Sequence, residues 1–117
     1  MKIRSDFITN SSSSSYIIMN KTNKDKTLID FIKETEDLFK VFRTDYLWTD
    51  SDEYSPENAI KEIEQFPEIN KTFPANSKDI YQFGDNSGTI VGRVYDYMLR
   101  NGGSSKSFKW YLDHFDR

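Results

Sequence analysis

"SSSSSYIIMN", residues 11–20, joins a run of five serines to a short apolar stretch. From Ser15 to Asn20 the chain is β-branched and aromatic, and "KTNKDK" after it is turn chemistry. Together they predict a β-strand with a turn behind it. Beyond the turn the period changes. Leu28, Ile32, Thr35, Phe39 and Phe42 recur at spacings of three and four, with Phe31 and Leu38 widening the stripe. That pattern predicts a helix from about Thr27 to Arg43. Thr27 is its expected N-cap, with Asp30 where a capping box prefers Glu or Gln, and Asp25 is the alternative cap. Lys40 and Arg43 suit the negative end of the helix dipole.

Further along, "SPEN" opens a second helix. Ser55 caps it, Pro56 takes the first helical position and Glu57 sits in the first turn. Ile60, Ile63 and Phe66 lie on one side, and Pro67 ends the helix. Asp79 to Gly84, "DIYQFG", reads as a strand, and "DNSG" as a turn. In "TIVGRVYDYMLRNGG" the apolar residues fall at helical spacings, and Asn101-Gly102-Gly103 is a helix stop. A strand remains open there, because Gly92 lies inside and the start is β-branched. The last segment, "SFKWYLDHF", alternates. Phe108, Trp110 and Leu112 share a face if it is extended, and Phe108, Tyr111, Leu112 and Phe115 share one if it is helical; the aromatic content favours a strand.

The expected architecture is therefore α+β: a small three- or four-stranded, mainly antiparallel sheet packed by about three helices, in the rough order β-α-α-β-α-β. Residues 1–117 read as one such domain, with residues 1–15 a Ser-rich opening. The composition agrees. Only two alanines, Ala59 and Ala75, stand against nine Phe, seven Tyr and two Trp. Core volume must come from large rings and isoleucine, which suits a sheet with helices better than an Ala/Leu bundle.

Several chemistries are excluded or disfavoured. The chain has no cysteine, which removes disulfides, thiolate catalysis and Cys-based zinc sites. "MKIRSDFITN" is charged and has no long apolar stretch, so no signal peptide is expected. No run approaches membrane-spanning length. The expected location is the cytoplasm. Net charge is −3, but Thr44 to Glu68 alone carries −7 and the rest +4. A nucleic-acid binder is more often basic overall. The acidic segment suits a solvated face or a partner with a basic surface.

Candidate reactive groups are few. His114, the one histidine, lies next to Asp113 near the C-terminal end. A nucleophilic triad would need it to converge with a serine and an acid, and the chain has no G-x-S-x-G elbow. Asp50, Asp52 and Glu53 could serve as paired carboxylates or oxygen ligands, but paired acid–base work needs two different environments. Tyr54 and Ser55 stand where an EF-hand needs a ligand and then Gly. "FGDNSG" has neither the Walker A spacing nor its lysine. Lys106, Phe108, Lys109, Trp110 and Tyr111 could stack single-stranded bases, although a Phe and a Trp two apart on a strand are more often core. No cofactor is implied.

The opening also carries a resemblance. Arg4, Phe7, Thr9, Asn10, the serines Ser11, Ser12, Ser13, Ser14 and Ser15, and then Tyr16-Ile17-Ile18 resemble the start of a broad set of small bacterial, archaeal and phage proteins. Their openings combine an Arg, a Phe, Thr-Asn or Ser-Asn, a serine run and an aromatic followed by isoleucines. Members often have Gly at the place of Asp6 and Phe at that of Tyr16. The resemblance covers the first fifteen to eighteen residues and implies no activity. Physically the tract reads as a linker, as a tight turn with hydroxyls bonded to backbone, or as a recognition tag. Apolar Phe7 and Ile8 before it, and Ile17 and Ile18 after it, favour the turn, with Phe7 and Ile8 packed on the domain.

The function expected from these readings is a non-enzymatic protein-interaction or regulatory module, with a phage or mobile element as its suggested source. Trp48, Asp50, Asp52 and Glu53 are its candidate partner-binding residues. The alternatives are a small hydrolase using loop carboxylates or His114, and a single-stranded nucleic-acid binder. A membrane partner is not expected.

Overall fold

The computed structural model describes residues 13–47, 52–84 and 88–116. Strand β1 (Ser13–Asn20) runs through the middle of a four-stranded antiparallel sheet. On one side it pairs with β4 (Lys78–Gly84) and on the other with β6 (Phe108–Asp116), whose far edge carries the short β5 (Gly103–Ser104). A second, two-stranded ribbon pairs β2 (Lys26–Thr27) with β3 (Thr72–Phe73). Four α-helices complete the α+β fold: α1 (Leu28–Glu34), α2 (Glu36–Phe42), α3 (Pro56–Gln65) and α4 (Ile90–Met98).

The helix starts obey their local chemistry. Thr27 Oγ1 accepts from Asp30 N, and Asp30 Oδ2 accepts from Thr27 N at 2.8 Å, a full capping box with Asp at the third position. Ser55 Oγ accepts from Asn58 N at 3.1 Å ahead of Pro56. Thr89 Oγ1 accepts from Gly92 N at 3.0 Å. Each bond satisfies a backbone donor that the first helical turn leaves open.

Four expectations need correction. The helix expected from Thr27 to Arg43 breaks at Thr35, where φ is −128°. Thr35 is buried, and its hydroxyl donates to Phe31 O at 2.8 Å and bonds the Tyr95 hydroxyl at 2.8 Å. A hydroxyl that takes a backbone carbonyl one turn back competes with the helix ladder. The apolar stripe survives the break, because Leu28, Ile32, Thr35, Phe39 and Phe42 are all buried. The chain also stays coiled past Arg43, as a π-helical turn over Arg43–Leu47. The β2–β3 ribbon and β5 add to the expected elements, and each is a two-residue pairing with no periodicity to find. Finally, the strand expected from Ser15 begins at Ser13, so Ser13 and Ser14 are strand and not turn. The residues before Ser13, with Arg4, Phe7, Ile8, Thr9, Asn10, Ser11 and Ser12, lie outside the described residues.

Alternation along β1 explains why serines suit this strand. Ser14, Tyr16, Ile18 and Asn20 point inward and are buried, while Ser15, Ile17 and Met19 face the other way. Ser14 Oγ donates to Asp96 Oδ1 at 2.8 Å, and the Tyr16 hydroxyl donates to Asp96 O at 2.6 Å. Asp96 is fully buried in α4, with Arg100 Nη2 3.8 Å away. An inward position opposite a buried acid needs a small donor, and serine is one. Asn20, also buried, donates to Lys24 O and Phe73 O and accepts from Thr22 N, tying the strand end to the ribbon.

The core is aromatic. Phe31 lies 5.8 Å from the Phe73 ring, 5.1 Å from Tyr95, 5.0 Å from Phe108 and 5.3 Å from Trp110. Three of these contacts are edge-to-face, the favoured geometry for rings with opposed quadrupoles. Phe108 and Trp110 are buried on the covered face of β6, as the extended reading of that segment expects. Gly103 allows this packing: a Cβ there would sit 2.7 Å from Trp110 Cζ2.

The core can be tested in two ways. Phe31→Ala empties the centre of this cluster and should cost about 3–5 kcal/mol, a large share of the roughly 5–15 kcal/mol typical of a domain. Chemical denaturation measures it, and a loss under about 1 kcal/mol, the size of a surface substitution, would show that Phe31 is not the hub. The second test concerns pH. Burial pushes the phenols of Tyr16 and Tyr95 above the usual tyrosine value. The unfolded chain releases those protons near pH ~10 while the folded chain keeps them. Their contribution is thus fully present below that pH and is lost as pH rises above it, so urea midpoints should fall there and fall less in Tyr16→Phe.

Candidate functional site

Two surfaces stand out: a cleft beside the acidic segment, and the face of the sheet that none of the described helices covers. The cleft forms where a 3₁₀ turn, Asp52–Tyr54, meets α3 and the start of α4. It encloses about 260 Å³ and is lined by Glu53, Tyr54, Glu62, Thr89, Ile90 and Arg93. Tyr54 organises it. Its ring packs 5.5 Å from Phe42, its carbonyl accepts from Arg43 Nη1 at 3.1 Å, and its hydroxyl accepts from Arg93 Nη1 at 2.8 Å. The Arg93 guanidinium also lies 5.4 Å from the ring centre, within cation–π range. Glu62 Oε1 accepts from Ile90 N at 2.8 Å. A carboxylate there complements the positive end of α4.

The bonds of Glu62 and Arg93 thus run to the protein itself. Glu62 caps a helix, and Arg93 braces Tyr54. Among the described residues no group of three His, Asp or Glu side chains is placed to hold a metal. A second cavity of about 180 Å³ lies on the other side of Thr89, lined by Glu68, Ile69, Lys71, Gln82, Phe83 and Val91. Lys71 Nζ sits 5.7 Å from the Phe83 ring.

Of the candidate residues, Glu53 is exposed at the cleft and Asp52 begins its 3₁₀ turn. Trp48 and Asp50 lie outside the described residues. The backbone of His114 pairs opposite Ser15 near the end of β6. Of the tract, only Ser13, Ser14 and Ser15 are described, and Ser14 is structural.

The open face was not legible as a surface. Ile17 pairs with Ile80 on one side and with Tyr111 on the other, which sets three apolar side chains in one row. Ile80 is 60% exposed and Tyr111 36% exposed. In the next row but one Met19 lies between Lys78 and Lys109. Lys78 Nζ is 6.0 Å from the Tyr111 ring. The available signal was in β1 itself. Tyr16, Ile17, Ile18 and Met19 are apolar on both faces, whereas a strand with one solvated face alternates apolar with polar.

Glu34 shows what a fully committed carboxyl looks like in this fold. Burial alone would raise it, but hydrogen bonds from Ser105 and Ser107, with Lys26 nearby, outweigh that and hold it below its usual value. It fastens α1 to the β5–β6 hairpin.

The chain matches no family model, no curated protein and no solved structure. No helix among the described residues is long and apolar enough to cross a membrane.

The aromatic residues bear directly on nucleic acid. Phe108 and Trp110 are buried, so Tyr111 is the one ring of that strand's aromatic–basic set left to stack. Fluorescence anisotropy with labelled single strands at near-physiological salt should therefore show no submicromolar binding. Tight binding lost in Tyr111→Ala would contradict this.

Proposed function

We propose that this chain is a non-enzymatic protein-interaction module acting in the cytoplasm, with the open sheet face as its principal docking surface. The observation that supports this reading is the row Ile80–Ile17–Tyr111. Aliphatic side chains at the centre of an uncovered sheet gain free energy when another apolar surface excludes water from them. The acidic segment around Glu53 supplies a second surface, suited to a partner with basic character. The described bonds of Glu62 and Arg93 run to Ile90 and Tyr54, which supports a structural role for both side chains.

Affinity capture with the N-terminus untagged tests the reading. Wild-type bait should retain proteins that Ile80→Asp and Tyr111→Asp baits lose, while circular dichroism shows the same fold. Equal capture by all three would remove the open face from consideration. Turnover in a broad hydrolase panel, lost in a folded His114→Gln variant, would replace this reading with the enzyme one.

A further inference from the structure

Four large hydrophobic residues are exposed among the described residues: Val41, Phe66, Ile80 and Tyr111. Ile80 and Tyr111 share the open-face row, with Lys78 and Lys109 two positions along the same strands. Phe66 has the opposite setting. It ends α3, and Glu64, Gln65, Pro67 and Glu68 around it are all exposed. One surface is apolar with Lys78 and Lys109 at one end and exposed Asp113 two positions beyond Tyr111, and the other is apolar with glutamates.

We infer that a second copy of this chain occupies the open face, with the Phe66 corner of one copy seated on the Ile80–Ile17–Tyr111 row of the next. This inference rests on the interaction-module reading and names the partner of that same surface. Charge complementarity identifies the occupant. Glu64 and Glu68 would approach Lys78 and Lys109 while the apolar groups meet between them. The corner is also pinned in advance. Phe66 N donates to Glu62 O at 2.9 Å, Ile69 N to Phe66 O at 2.9 Å, and Asn70 N to Pro67 O at 3.1 Å. A rigid projection gives up little conformational freedom on docking. The two surfaces cannot meet within one copy, because α3 packs with α1 and α4 on the covered side of the sheet. The contact is therefore heterologous, joining two different patches, and it leaves one patch of each kind free at the ends of a dimer.

That asymmetry gives the test. Sedimentation velocity on the full chain, from micromolar to millimolar concentration, should show a mass that rises from one chain to two or more. The rise should weaken with added salt, because exposed charges are screened. Ile80→Asp and Phe66→Asp should each remain a single chain throughout, and an equimolar mixture of the two should form a one-to-one dimer and grow no further. Lys78→Glu combined with Lys109→Glu should repeat the Ile80→Asp result without touching an apolar group. A wild-type chain of single mass at every concentration overturns the inference; capture by the open face from cells would then still stand, with another protein as the partner. Self-association that survives Phe66→Asp, or a mixture that gains nothing over its components, overturns it equally, because the contact would then be two like faces meeting.

Discussion

Phe31 is the residue that the arrangement turns on. Its ring meets Phe73 from the ribbon, Tyr95 from α4, and Phe108 and Trp110 from β6. One side chain on a seven-residue helix thus joins the large sheet, the small sheet and another helix. The chain has almost no alanine to bring backbones close together, so its elements are spaced by rings. Edge-to-face contacts make that spacing directional. The break at Thr35 belongs to the same cluster, because its hydroxyl reaches the hydroxyl of Tyr95. Phe31 and Phe39, which flank the break, both pack on that ring.

A polar node sets the register that the rings alone would leave loose. Aromatic packing tolerates small slips, whereas hydrogen bonds do not. Asp96 is fully buried; its carboxylate accepts from Ser14 and its carbonyl from Tyr16, two positions apart on β1, with Arg100 Nε donating to the same carbonyl. Shifting the strand by one residue would turn both donors outward and bring Ser15 and Ile17 in. A buried acid without its partners is costly. The serine run therefore contributes where it enters the sheet, by supplying a donor too small to disturb the packing.

The same strand accounts for the surface. A central strand apolar on both faces calls for cover on both, and among the described residues the helices cover one. The other face presents Ile17 and Met19 between the side chains of β4 and β6. The charges divide in a related way: Lys78 and Lys109 stand on the open face, and the acids concentrate between Thr44 and Glu68. The described residues thus present an apolar face flanked by lysines in one place and acidic side chains in another.

Local chemistry was sufficient for much of this. The caps Thr27 and Ser55 act within three residues of themselves, and proline, glycine and periodicity are equally local, so most helices and strands and the α+β class could be read directly. The buried stripe through Phe42 and the covered face of β6 were legible for the same reason. Other features exist only once distant segments meet. Thr35 stands at the helix break with its hydroxyl bonded both to Phe31 O one turn back and to Tyr95, sixty residues away. Ser14 is buried because Asp96 lies above it. The two-residue pairings of the ribbon and of β5 have no pattern of their own. The cleft brings Tyr54 to Arg93, and the open row brings Ile17 to Ile80 and Tyr111. Periodicity tells which side chains share a face; strand order decides which faces are left uncovered, and that order is settled by the packing of the whole chain.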